Sequence, residues 1–186
     1  MTLPLRPAWQ AGLALLLLGA GLYGYADGPP PAHTGGFGEP TCYDCHFDGP
    51  EPQEAAALRL DGLPEAVVPG TRYPLTVTLV HPGMARAGFQ LSARHPGGRQ
   101  AGVFLAPDSL RVQLQRSPTG VVYAAHTRAG NALSAPDTAR WRLLWQAPAT
   151  RTPVVFHLAA NAANGDDSAF GDVIFLRADS LGIPPE

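Results

Sequence analysis

Seven short runs in this chain alternate apolar and polar residues with a period of two. "RYPLTVTLV" sets Tyr73, Leu75, Val77 and Leu79 against Pro74, Thr76 and Thr78. "AGFQLSAR" sets Phe89 and Leu91 against Gln90 and Ser92, and "ARWRLLWQA" sets Trp141, Leu143 and Trp145 against Arg140 and Arg142. "SLRVQLQR" predicts Leu110, Val112 and Leu114 on an inner face. "VVYAAHT", "TPVVFHLAA" and "GDVIFLRA" complete the set. Each run is β-branched or aromatic and is bounded by Gly, Pro, Asn or Asp, which is the pattern of half-buried strands separated by turns. No long amphipathic helix competes. The expected body, over residues 56–180, is therefore an all-β, antiparallel β-sandwich with Greek-key connections. Glycine (21) and proline (20) are abundant but without a collagen period, and hydrophobic residues at 45% are enough for a core.

The chain opens on a targeting pattern. Arg6 provides a positive start, "WQAGLALLLLGAGLYG" an apolar stretch shorter than the ~20 residues of a spanning helix, and Gly24-Tyr25-Ala26 small residues for cleavage. Residues 1–26 read as a signal peptide, with retention as a membrane anchor the alternative. Both place the remainder outside the cytoplasm, periplasmic or secreted. All 13 basic residues are arginine, spread along the chain, against 15 acids. This balance gives no electrostatic footprint for nucleic acid.

Residues 27–55 differ from the body. They are rich in Pro and Gly, lack periodicity, and bury too little apolar surface of their own to offset the entropy of ordering. The sandwich, a cross-link or a cofactor must hold them. Within them "EPTCYDCHFDGP" contains both cysteines of the chain, Cys42 and Cys45, followed at once by His46. Four chemistries use such a pattern. A structural zinc site wants four ligands, usually two such pairs, and there is no second pair. A thioredoxin-like pair opens a helix after a strand, not a Pro/Gly segment before a β body. A disulfide suits an exported chain, but a two-residue loop restrains little chain entropy, and His46 is left without a role. Covalent attachment of one haem c uses all three residues: the thiols of Cys42 and Cys45 add to the vinyl groups and His46 ligates the iron. The apolar faces of the haem would also supply the core this segment lacks.

For the sixth iron position the candidate is Met84, the only methionine beyond the targeting segment, in the loop "HPGMARAG". His81 and His33 follow, and a five-coordinate iron is the remaining option. His126 and His157 fall opposite the apolar positions of their strands, which predicts surface or ordinarily paired side chains, and His95 precedes an exposed turn. Asn164, Gly165, Asp166, Asp167 and Ser168 are turn formers. A calcium loop of Asp166, Asp167 and Asp172 is the alternative there, without the spacing of an EF-hand. No hydrolytic triad, HExxH or phosphate-cradling loop is present, so the chain reads as non-enzymatic.

Three separated stretches, "HTGGFGEPTCYDCHFDGP", "YPLTVTLVHPGMARAGFQLSAR" and "FHLAANAANGDDSAFGD", together resemble bacterial Reeler-like (choice-of-anchor) proteins over roughly residues 33–177. The resemblance implies an extracellular immunoglobulin-like β-sandwich. It also implies a binding module, whereas animal Reeler domains carry disulfides and no Cys-x-x-Cys-His haem. The expectation is an exported monohaem c-type cytochrome that exchanges electrons with a redox partner protein or a membrane electron-transfer complex. The alternative is a non-enzymatic extracellular binding or adhesion module with a Cys42–Cys45 disulfide.

Overall fold

The computed structural model describes residues 26–182. The targeting segment, apart from Ala26, lies outside them. Ten strands form two sheets: β1 (Gln53–Glu54), β2 (Leu58–Asp61), β3 (Arg72–Val80), β4 (Arg86–Arg94), β5 (Val103–Leu105), β6 (Val112–Arg116), β7 (Val122–His126), β8 (Thr138–Gln146), β9 (Val154–Ala163) and β10 (Val173–Leu181). One sheet has the order β1-β10-β9-β4-β7-β6 and the other β2-β3-β8-β5. All pairings are antiparallel except β1 on β10. The chain crosses between sheets after β1, β3, β4, β5, β7 and β8, as in the Greek-key connections of a β-sandwich.

The alternation in the sequence accounts for the core. Leu75, Val77 and Leu79 of β3 and Trp141, Leu143 and Trp145 of β8 face Phe89, Leu91, Phe156 and Leu158 of the larger sheet. Phe89 tilts onto Trp141 at 4.7 Å, and Trp145 meets Phe156 edge-on at 4.9 Å. Each such aromatic, fully buried, is worth roughly 1.5–3 kcal/mol. The indole N–H groups of Trp141 and Trp145 donate to the carbonyls of Gly130 and Ala101, so neither brings an unsatisfied donor inside.

The run around β6 differs from expectation. Only Val112 is buried, and Leu110 and Leu114 are exposed. Leu110 precedes the strand, and β6 is an edge strand, with β7 as its only ladder partner and little opposite its outer end. β2 and β5, four and three residues long, carried too short a pattern to be read from sequence.

The second face of β4 decides where the N-terminal segment goes. Gly88, Gln90, Ser92 and Arg94 alternate with the core positions, yet every one is buried. Residues 26–50 lie over them and over β7, β9 and β10. Buried Gln90 accepts from the His33 backbone N–H (2.6 Å) and donates from its amide to the Pro30 carbonyl (2.8 Å). Thr34 donates to Glu39 (2.7 Å) and lies 3.5 Å from the Ser92 hydroxyl. Arg94 pairs with Glu39, which also accepts from Tyr123, and the Arg94 guanidinium lies 5.0 Å from the Phe37 ring centre. Gly36 lies against the His157 ring, where any Cβ would collide. Polar side chains of the sheet, not an apolar core, hold this segment.

Candidate functional site

The Cys-x-x-Cys-His stretch is a single tight turn. Thr41 caps it: its hydroxyl accepts from the Tyr43 N–H (3.1 Å), while its own N–H donates to Asp44 Oδ2 (2.8 Å), a reciprocal capping box. The Cys45 and His46 N–H groups then both donate to the Cys42 carbonyl, at 3.3 and 3.0 Å. A helical turn brings positions i, i+3 and i+4 to one face. Cys42, Cys45 and His46 accordingly line one cavity of about 400 Å³, within the size range of small-molecule sites. Its other walls include His33, Phe89, His126 and the guanidinium-bearing Arg86 and Arg128.

Both cysteines are free thiols, so the Cys42–Cys45 disulfide is not formed in this structure. Desolvation pushes the Cys42 thiol up to about 12, which keeps it protonated at neutral pH. Cys45 is exposed.

His46 has a partner that sequence reasoning assigned elsewhere. Its Nδ1 lies 2.7 Å from Asp172 Oδ2, and Asp172 is only 1% exposed. Asn161 donates to the same carboxylate oxygen (2.8 Å), and the Asn164 N–H donates to the other (3.1 Å). Held on three sides, the carboxylate selects the neutral His46 tautomer protonated on Nδ1, with the Asn161 amide nitrogen 3.5 Å from the Nε2 lone pair. Metal-bound histidines are typically oriented this way. Asp172 is therefore committed to His46 and does not join Asp166 and Asp167 in a cation loop. Asp166 instead accepts from the Ser168 N–H (2.9 Å) and the Asn164 amide (3.2 Å), as a turn residue does. Among the described residues no group of three or more His, Cys, Asp or Glu side chains is disposed to chelate an ion.

The other expected site residues are dispersed. Met84, the expected distal iron ligand, is 5% exposed, belongs to the hydrophobic core and does not line the cavity. Its loop turns inward because the side chain is the apolar plug after β3. His81 packs on Phe175 at 5.5 Å, also away from the cavity. His33 does line it. His126, expected at the surface or ordinarily paired, is 8% exposed, pairs with the Phe89 backbone and lines it too, and His157 is half-buried under Phe37. Both burials have one cause: the N-terminal segment covers the face of the sheet that strand alternation marks as open. Burial lowers the affinity of His126 and His157 for protons. The missed residue, Asp172, stood in a turn-rich stretch with nothing to link it to His46, 126 positions earlier. Gly88 was missed as well: a Cβ there would lie 2.5 Å from His126 Cε1, so its absence makes room for that ring.

No family model matches the chain and no curated protein matches it. Solved structures do. The Reelin-N domain of F-spondin aligns with 77% of this chain and 97% of its own, at 22% identity and a TM-score of 0.49. The human F-spondin reeler domain aligns with 74% and 96%, at 22% identity and a TM-score of 0.48. A cohesin module from a Clostridium perfringens family 33 glycoside hydrolase aligns with 72% and 100%, at 13% identity and a TM-score of 0.48. These likenesses are between β-sandwiches, Reeler-like ones among them, and carry no ligand or activity with them.

Proposed function

We propose that the chain is an exported, non-enzymatic binding module whose ligand is a single haem c, tied to Cys42 and Cys45 with its iron held by His46, and that it carries single electrons between protein partners outside the cytoplasm. The observation that supports it most is the His46–Asp172 pair beside two unlinked thiols on one turn, all at one cavity. Residues fit the group in three respects. The thiols and the imidazole share a face. The imidazole tautomer that binds iron is the one Asp172 selects. The cavity wall adds Pro29 and Pro30 from the covering segment, with Arg86 and Arg128 to meet carboxylates.

Cys42 and Cys45 would hold the haem by adding their S–H bonds across its two vinyl groups, and His46 would ligate its iron. When bound, the group supplies a ferric/ferrous couple, with the electron entering from a reduced partner protein and leaving to an oxidised one. The chain's own contribution is to hold both thiols on one turn, to orient His46 through Asp172, and to cover the site with residues 26–50. Export follows from the targeting segment. The partner would be a soluble redox protein or a membrane electron-transfer complex.

A second reading is a haem-free extracellular binding module. It is favoured by Phe47 and Phe170, which are both exposed and stack edge-on at 6.1 Å beside the turn, an apolar pair able to meet a partner protein. The mass of mature protein made in a host with haem-maturation machinery separates the two. One added haem supports the first; an unmodified mass, or loss of two hydrogens, supports the second.

A further inference from the structure

Three imidazoles line the cavity, from His33, His46 and His126. Iron takes a lone pair, so only a ring whose other nitrogen carries the proton can serve as a neutral ligand. The neighbours of each Nδ1 therefore sort the three.

At His46, Nδ1 faces the Asp172 carboxylate at 2.7 Å. At His33, Nδ1 faces two carbonyls, Pro30 at 3.0 Å and Pro31 at 3.3 Å. Carbonyls only accept, so His33 Nδ1 bears the proton and Nε2 keeps its lone pair. Among the described residues nothing bonds to that Nε2. At His126 the arrangement is reversed. The Phe89 backbone N–H donates to Nδ1 at 3.1 Å, with the Phe89 carbonyl farther off at 3.3 Å. With Nδ1 engaged by the Phe89 backbone and the ring packed against Gly88, His126 is tied to the sheet.

His33 is also held for the purpose. Buried Gln90 clamps the segment before it, taking the His33 N–H on Oε1 and giving its own N–H to the Pro30 carbonyl. That same carbonyl receives the His33 ring proton. Ala32, just before it, sits at φ 71°, a left-handed conformation that is strained for an alanine. The structure thus spends backbone strain on the approach to His33 and secures it with a fully buried glutamine.

We infer that His33 and His46 would both hold the iron, each through Nε2, and that Met84 and His126 are not ligands. This rests on the haem c assignment above. The test uses the natively matured holoprotein. The wild type is expected to show a low-spin bis-imidazole spectrum without a thioether-to-iron charge-transfer band and without carbon monoxide binding. His33→Ala should turn high-spin, bind carbon monoxide when reduced, and return to low spin with added imidazole. His33→Met should gain the thioether band. His126→Ala and Met84→Leu should keep the wild-type spectrum. Haem present and His33→Ala still low-spin, or His126→Ala turning high-spin, would overturn the ligand assignment while leaving haem attachment standing. A mature mass without haem would overturn both.

Discussion

Arg94→Ala tests how the N-terminal segment is held. In the folded protein the side chains of Arg94 and Glu39 are 7% and 11% exposed, so the substitution strands a carboxylate that water barely reaches. Removing one partner of a buried ion pair costs about 3–5 kcal/mol. Tyr123 still donates to Glu39 at 2.5 Å, which places the cost near the lower end, about 3 kcal/mol. The lost packing of the guanidinium on Phe37 (5.0 Å) and Tyr123 (5.4 Å) adds to it. For a domain of this size each kcal/mol lowers Tm by about 2–4 °C, so a fall of about 6–12 °C is expected by calorimetry. Limited proteolysis should show cleavage within residues 27–50 before the sandwich is cut. The double variant Arg94→Met, Glu39→Leu leaves no uncompensated charge and should recover most of the loss. A Tm within 2 °C of wild type for Arg94→Ala, with residues 27–50 still protected, would refute the view that this pair fastens the segment.

Four further outcomes follow from the same geometry. Met84→Ala should cost about 2–5 kcal/mol as a core cavity, read by chemical denaturation, while the absorption spectrum of the holoprotein stays unchanged. Gly49→Ala would drive a Cβ into the Asp172 carbonyl, a backbone atom that cannot step aside. The expected loss is about 3 kcal/mol, with a lower yield of attached haem. In protein made without haem, alkylation should label exposed Cys45 quickly and Cys42 slowly at pH 7, because burial holds the Cys42 thiol up to about 12. Burial lowers the proton affinity of His126 below the ~6.5 of an unfolded histidine. The unfolded chain then binds the proton first as pH falls, so stability should drop from about pH 7 downward, by at most about 1.4 kcal/mol per pH unit from this group. His126→Gln should flatten that part of the curve.

The larger elements were legible because a half-buried strand writes its two faces into alternate residues. Leu75, Val77 and Leu79, or Trp141, Leu143 and Trp145, announce both the strand and the side that packs. The same rule misled at Gln90, Ser92, His126 and His157. Their outward faces are covered by a segment whose own sequence carries no period, and only the folded chain shows that it lies there. The turn bearing Cys42, Cys45 and His46 was legible from spacing alone. Its orienting carboxylate was not, because Asp172 reaches His46 through sheet topology: it precedes β10, whose ladder with β9 sets it beside Asn161. The burial of Met84 was hidden for a related reason. A loop methionine between two strands reads as a free thioether, and nothing local tells that its side chain turns into the sandwich.

The account turns on what the two thiols of the turn become. The most direct measurement is peptide mapping of the mature protein from its native host, with the fragment spanning residues 39–50 weighed intact and its pyridine haemochrome recorded. The account predicts one haem on that fragment, joined through both Cys42 and Cys45, with the spectrum of a haem that has lost both vinyl groups. A fragment with no haem, bearing two free thiols or a disulfide between them, would contradict it.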